Sequence, residues 1–180
     1  EGFYWGAKHV WGSGLQGGLG MEAPSDNIVK DVSEHTDMIV LQAGDWETVQ
    51  NYAGQFWSSC IRYWLDIGIK FVSIDPFCTY TTVCHDEMKW IPIVPNTDAA
   101  LDFAIIYTWI KEDTYDKAYV ETHTIGFDKV KAYVMGEEDG VPKSPEWASP
   151  ICGVPEWTIK ALAREWAAKT TSIGHFCGAH

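Results

Sequence analysis

Basic side chains are scarce in this sequence: 13 Lys and Arg stand against 25 Asp and Glu in 180 residues, a formal net charge of -12. No cationic cluster exists to neutralise phosphates along a duplex, which argues against nucleic acid as a ligand and against acidic membrane surfaces. Long apolar runs are missing too. The most apolar stretch, 99–110, is interrupted by Asp102, so nothing approaches the ~18 uncharged residues of a membrane-spanning helix. The five cysteines, Cys60, Cys78, Cys84, Cys152 and Cys177, are dispersed and form no CxxC pair. That usage fits free thiols in a reducing, cytoplasmic compartment better than a disulfide framework. No signal peptide, P-loop or GxSxG nucleophile elbow is found.

What is present describes a globular domain, with 46% hydrophobic residues and 10 Trp. A chain of this length buries roughly 70% of the surface it would expose unfolded, so it needs no metal or disulfide staple. Residues 1–27 interleave glycines with Phe3, Tyr4, Trp5 and Trp11, which predicts a packed loop or short helical pieces. We take 1–32 as a lead-in segment and 33–180 as the domain. Residues 37–42 read as a strand buried on both faces, 48–67 as an amphipathic helix capped by Gly68, and 70–74 as a second strand stopped by Asp75-Pro76. Their spacing is that of a βαβ unit, so the strands should be parallel. A third strand at 90–94 carries Pro92, which places it at an edge or near its start. Thr97 and Asp98 open an apolar helix to 112, smaller helices follow over 115–122, 127–135 and 155–169, and 171–174 is the last strand. Alternation of this kind predicts an α/β fold, a mostly parallel sheet with helices on both faces.

Ligands of such sheets bind beyond the carboxyl ends of the strands, where three turns here carry an acid: Gly44-Asp45, Asp75-Pro76 and Asn96-Thr97-Asp98. Asp75 can accept both hydroxyls of a ribose, or can be a plain turn former. Asp98 can receive the N1–H and amino group of a guanine, or can simply complement its helix. Gly12-Ser13-Gly14-Leu15-Gln16-Gly17 matches the dinucleotide pattern GxGxxG, but a strand before it and a helix after it are lacking, so a glycine-rich loop is the better reading. Cys84-His85-Asp86-Glu87 and His175-Phe176-Cys177 with His180 resemble metal ligands without zinc-type spacing. We therefore assign no metal ligand.

Met38-Ile39-Val40-Leu41-Gln42-Ala43-Gly44-Asp45, Ile74-Asp75-Pro76, Trp90-Ile91-Pro92-Ile93-Val94-Pro95-Asn96-Thr97-Asp98, Tyr115-Asp116-Lys117-Ala118-Tyr119-Val120, Gly126-Phe127-Asp128 and Cys152-Gly153-Val154-Pro155-Glu156-Trp157 follow one another in an order that resembles the dimethyl sulfoxide reductase family of molybdenum enzymes. The resemblance runs over nearly the whole chain from Ser33. It implies a three-layer Rossmann-like domain holding one of two molybdopterin guanine dinucleotides. Gly44, Asp45, Trp46 and Thr48 would lie near the phosphates, Ile74, Asp75 and Pro76 at a ribose, and Asn96, Thr97 and Asp98 at a guanine. Gly174 and His175 would approach the same cofactor. The resemblance also implies that the chain is a fragment of a large subunit, with the side chain that ligates molybdenum, commonly Ser or Cys, upstream of Glu1 and the catalytic residues unassigned here. Within the family the chain is most similar to hydroxytransferases, which move a hydroxyl between trihydroxybenzenes (pyrogallol to phloroglucinol) and pair with a smaller iron–sulfur subunit. A sulfoxide or N-oxide reductase is the alternative within the class, and a non-catalytic nucleotide-binding module the alternative outside it. Three positions depart from the family's usual residues: Trp46 stands for Pro, Phe77 for Arg after Asp-Pro, and Asn96 for Gly before Thr-Asp.

Overall fold

Met38-Ile39-Val40-Leu41-Gln42 is apolar on both faces. In the computed structural model, which describes residues 28–48 and 56–175, it forms β1 (Met38–Gln42) with every side chain buried. The expected lead-in through residue 27, the GxGxxG loop at 12–17, residues 49–55 of the expected helix, and Cys177 and His180 lie outside the described residues. Three further strands, β2 (Lys70–Asp75), β3 (Lys89–Pro92) and β4 (Thr171–His175), complete a four-stranded sheet in the order β3-β2-β1-β4. All pairings are parallel, with Val40 opposite Val72 on one side and Ile173 on the other. Pro92 ends the edge strand β3, where no neighbour needs its missing N–H.

Alternate side chains of β1 enter different cores, which is why the strand shows no polar face. Ile39 and Leu41 join Phe71 against α1 (Ile28–His35) and α2 (Phe56–Asp66), through Val29, Val32, Ile61 and Trp64. Met38 and Val40 join Val72 and Ile74 against α4 (Asp98–Glu112), α7 (Pro145–Cys152) and α8 (Glu156–Ala167). Phe71 is fully buried and stacks on Trp64 at 6.5 Å between centroids, and burying such a ring contributes about 2 kcal/mol. Trp109 donates its indole N–H to the Ala163 carbonyl at 2.7 Å and meets Trp166 edge-on at 5.5 Å, which fixes α4 on α8.

The short helices α3 (Tyr80–Val83), α5 (Lys117–His123) and α6 (Phe127–Met135) complete the described elements. Gly136 ends α6 at φ 80°, and a Cβ there would lie 2.6 Å from the Pro142 nitrogen. Some expectations are corrected. Thr97 holds the N-cap position of α4 but makes no capping bond; its hydroxyl donates instead to the Val94 carbonyl at 2.6 Å. Pro155 is the N-cap of α8 rather than a residue of its first turn. Helix α7 is absent from the sequence-based expectation, because Pro145 and Pro150 read as breakers. Pro145 sits where a helix has no use for an N–H, and Ser144 caps that end by accepting from Trp147 N.

Candidate functional site

The carboxyl ends of all four parallel strands form one rim. The chain steps outward from β1 to β2 to β3 and then returns to the other side of β1 as β4, so the strand order reverses between β1 and β4. Such a switch point opens a crevice between two loops that diverge to opposite faces. Gln42 lies there, opposite both Ile74 and the backbone of His175.

Above β1 the chain turns sharply. Ala43 adopts φ 55°, a left-handed conformation that costs a residue with a Cβ about 1 kcal/mol, while its N–H still reaches the Ile74 carbonyl at 3.0 Å. Strain of this sort concentrates where a backbone must present itself in one way. Gly44 is buried, and Asp45 follows with both carboxylate oxygens occupied. Oδ1 accepts from the Thr81 amide at 3.1 Å and the Thr81 hydroxyl at 2.7 Å, and Oδ2 accepts from Thr48. Burial works against ionisation of Asp45, yet the bonds from Thr48 and Thr81 outweigh it and hold the carboxyl below its ordinary value. Glu47 continues the anchorage: Ser58 donates to one oxygen at 2.6 Å and His85 meets the other at 2.9 Å, with Arg62 at 3.5 Å.

Asp75 ends β2 and is only 6% exposed. One oxygen accepts from Phe77 N at 3.3 Å, the turn-forming role, and its backbone carbonyl accepts from the Trp90 indole at 3.0 Å. Burial raises its pKa, and the charges of Asp45 and Asp98 raise it further. The turns of Asp45 and Asp98 thus both lie near Asp75, at the carboxyl-end rim of the sheet. Asn96 adopts φ 62° at the mouth of α4. Asn tolerates the left-handed region better than other side chains, so it can serve where a glycine is usual. Asp98 occupies the first turn of α4, and one turn on Asp102 accepts from the Gln42 amide at 3.1 and 3.3 Å. Burial raises the Asp102 pKa, with Asp98 adding to it.

The remaining predicted residues divide by what they present. The Ile74 side chain is in the core, Pro76 and Thr48 are exposed, and Gly174 lies under the Trp46 ring. Trp46 packs against the Leu41 core rather than standing free. Phe77 is 67% exposed beside Asp75, giving the rim an apolar edge. Sequence reasoning misses Gln42, Asp102, Thr81 and the Glu47–His85 pair. Only His85 gives a signal, as part of a metal-like string; the structure buries it against Glu47, with Cys84 exposed. Among the described residues no group of three or more His, Cys, Asp or Glu is placed to hold a metal ion. An apolar cavity of about 460 Å³ lies away from the rim, between α4, α5, α6 and α8, lined by Ile106, Trp109, Tyr115, Phe127, Val130 and Trp166.

No protein-family profile matches the chain. It is 44% identical to the pyrogallol hydroxytransferase large subunit of Pelobacter acidigallici over 174 residues, 96% of this chain and 19% of that protein. It is 35% identical to a trimethylamine-N-oxide reductase of Salmonella typhi over 140 residues, 77% of this chain and 16% of the relative. The chain belongs to the dimethyl sulfoxide reductase family of molybdopterin enzymes. Among solved structures, acetylene hydratase from Pelobacter acetylenicus superposes with a TM-score of 0.64 at 26% identity, over 79% of this chain and 18% of that one. The chain thus spans about a fifth of the length of the relatives it matches. Family membership agrees with the α/β architecture, and Asn96 takes a left-handed conformation, φ 62°, that Asn tolerates. No described helix is long and apolar enough to cross a membrane.

Proposed function

We propose that the α/β domain expected over residues 33–180, onto whose core Val29 and Val32 of α1 also pack, holds one molybdopterin guanine dinucleotide in a large subunit that transfers a hydroxyl between trihydroxybenzenes, from pyrogallol to phloroglucinol. The observation that carries this reading is the placement of the Asp45, Asp75 and Asp98 turns at the carboxyl ends of neighbouring parallel strands. The donor and acceptor chemistry of that rim fits the group. Among the described residues the Asp75 carboxylate receives a hydrogen bond from Phe77 N at one oxygen, and the other keeps acceptor capacity for the hydroxyls of a ribose. Asp98, at the start of α4, is suited to the N1–H and amino donors of a guanine, and α4 itself turns its positive end toward the rim. An anionic pyrophosphate would otherwise meet an acidic protein. Asp45 lessens that conflict, because its charge is met by hydrogen bonds from Thr81 and Thr48 within the protein.

Molybdenum and the pterin supply the oxygen-transfer chemistry when bound. This chain's residues bind and orient: Asn96, Thr97 and Asp98 at the base, Ile74, Asp75 and Pro76 at the ribose, and Gly174 and His175 beside the phosphate turn. Parts of the parent outside this chain, including the metal ligand, would complete the reacting centre. An iron–sulfur small subunit and a cytoplasmic location come with the hydroxytransferase reading by analogy with the relative.

The test is direct. The intact protein is purified, acid-released guanine nucleotide and molybdenum are quantified, and hydroxyl transfer from pyrogallol to phloroglucinol is assayed against reduction of sulfoxides and N-oxides. Nucleotide and metal together with hydroxyl transfer are the expected result. Oxide reduction without hydroxyl transfer would select the reductase reading, which the likeness to trimethylamine-N-oxide reductases supports. Absence of both nucleotide and metal would leave a non-catalytic module.

A further inference from the structure

The turn after β1 and the turn after β2 are tied together by one side chain. Thr81, on α3, is fully buried. Its amide and hydroxyl both donate to Asp45 Oδ1, at 3.1 and 2.7 Å, and the same hydroxyl accepts from Glu47 N at 3.0 Å. Thr81 thus fastens the turn of residues 44–48 at two points. Helix α3 is itself moored to β2: Thr79 caps it, and the Thr82 hydroxyl donates to Ser73 at 3.2 Å. Only residues 76–79 separate the Asp75 turn from this helix. On the far side of the turn, Glu47 is clamped by Ser58 from α2 and by His85, which follows α3. The Glu47 and His85 side chains are 11% and 7% exposed, so water competes little for these bonds.

Both Asp45 oxygens are engaged by the protein's own donors, so this carboxylate serves to hold the turn that carries it. We propose that Thr81 is a positioning residue for the bound nucleotide, locking the Gly44–Asp45 turn to the Asp75–Pro76 turn so that both meet one ligand in fixed register. This rests on the nucleotide-holding role proposed above and extends it to residues that touch no ligand. The lock has a chemical requirement. The residue needs a hydroxyl that donates and accepts at once, which Ser retains and the isosteric Val lacks. Glu47 is the second bolt, since its carboxylate closes the same turn onto α2 and His85.

The experiment uses the intact, cofactor-loaded protein carrying Thr81→Val, Thr81→Ser or Glu47→Gln. Two quantities are read: the rate at which guanine nucleotide is lost in mild denaturant, and hydrogen exchange of the amides of residues 44–48. Loss of the hydroxyl's bond to the ionised Asp45 carboxylate and of the acceptor for Glu47 N should make Thr81→Val release guanine nucleotide about tenfold faster, with faster exchange at 44–48. Thr81→Ser should restore both values. If Thr81→Val does not fold, Glu47→Gln carries the same expectation, with faster exchange at 44–48 and accelerated nucleotide loss. Wild-type retention in both Thr81→Val and Glu47→Gln overturns the proposal, as does a Thr81→Ser variant that fails like Thr81→Val. A wild-type protein with no releasable guanine overturns the nucleotide reading itself, and the two failures are thereby told apart.

Discussion

Gly174 on β4 lies directly beneath the indole of Trp46. A Cβ at position 174 would approach Trp46 Cζ2 to 2.5 Å and Leu41 Cδ2 to 2.8 Å. The last strand and the turn after the first are packed through that one missing methyl group. Gly174→Ala should force the indole out of its seat and destabilise the domain by about 1–3 kcal/mol, as overpacking does. Adding Trp46→Leu should recover part of the loss. Thermal unfolding of the intact protein and its two variants measures this; unchanged stability in Gly174→Ala would contradict the packing described.

Left-handed backbone at the rim gives a second test. Asn96→Gly should leave stability and nucleotide retention close to wild type, because glycine takes φ 62° without penalty. Asn96→Val should cost about 1–2 kcal/mol and loosen the start of α4. Ala43→Gly should stabilise slightly by relieving φ 55°. Comparison of melting temperatures with guanine content distinguishes the three.

Asp75 predicts an opposition between stability and binding. Burial, with Asp45 and Asp98 adding to it, raises the folded pKa of Asp75 above its ordinary 3.8, so the folded state binds this proton more tightly than the unfolded state. Its ionised form is a penalty at neutral pH that is relieved as pH falls through the raised value toward 3.8. Asp75→Asn should therefore raise the melting temperature of the cofactor-free protein near neutral pH, and flatten its pH dependence just above the ordinary carboxylate range. The same change should lower guanine retention. Asp45 behaves oppositely: its pKa is held below 3.8, so its contribution is present above that value and lost as pH falls through the depressed one. Parallel melting curves for Asp75→Asn and wild type across pH would refute the assignment.

At Gly136 a side chain would meet backbone, not a movable tip. With φ 80° and the Val141 carbonyl carbon 2.7 Å from where a Cβ would sit, Gly136→Ala should cost upwards of about 2 kcal/mol, since the neighbouring chain must shift. Gly68→Ala, with open space around it at φ 92°, should cost only the conformational share, about 1 kcal/mol. Denaturant unfolding of the two variants side by side reads the difference.

The sheet is readable from the sequence because buried parallel strands are short apolar runs punctuated by turns, and Met38-Ile39-Val40-Leu41 and Phe71-Val72-Ser73-Ile74 have that form. The convergence of Asp45, Asp75 and Asp98 follows from the parallel order, since each acid lies at the carboxyl end of a strand or in the turn after it. Local chemistry is less visible. Pro145 and Pro150 conceal α7, and a run of Thr79, Thr81 and Thr82 gives no helical periodicity although those hydroxyls build α3 and its attachments. Partners far apart in the chain leave no trace at all: Gln42 with Asp102, Glu47 with His85, and Thr36 with Ser172 at 2.8 Å meet only once the strands are in register.

That register has a cost in time. Asp37 and Thr170, whose side chain and amide join at 3.0 Å where β1 meets β4, are 133 positions apart. At translation speeds of about 5–20 residues per second, β1 leaves the ribosome roughly 7–27 s before the strand that covers its second edge. A nascent chain halted short of residue 171 leaves the β4-facing edge of β1 with an unpaired ladder of amides and carbonyls, open to annealing with a neighbouring chain. Birth, more than heat or acid, is the moment of greatest exposure for this domain.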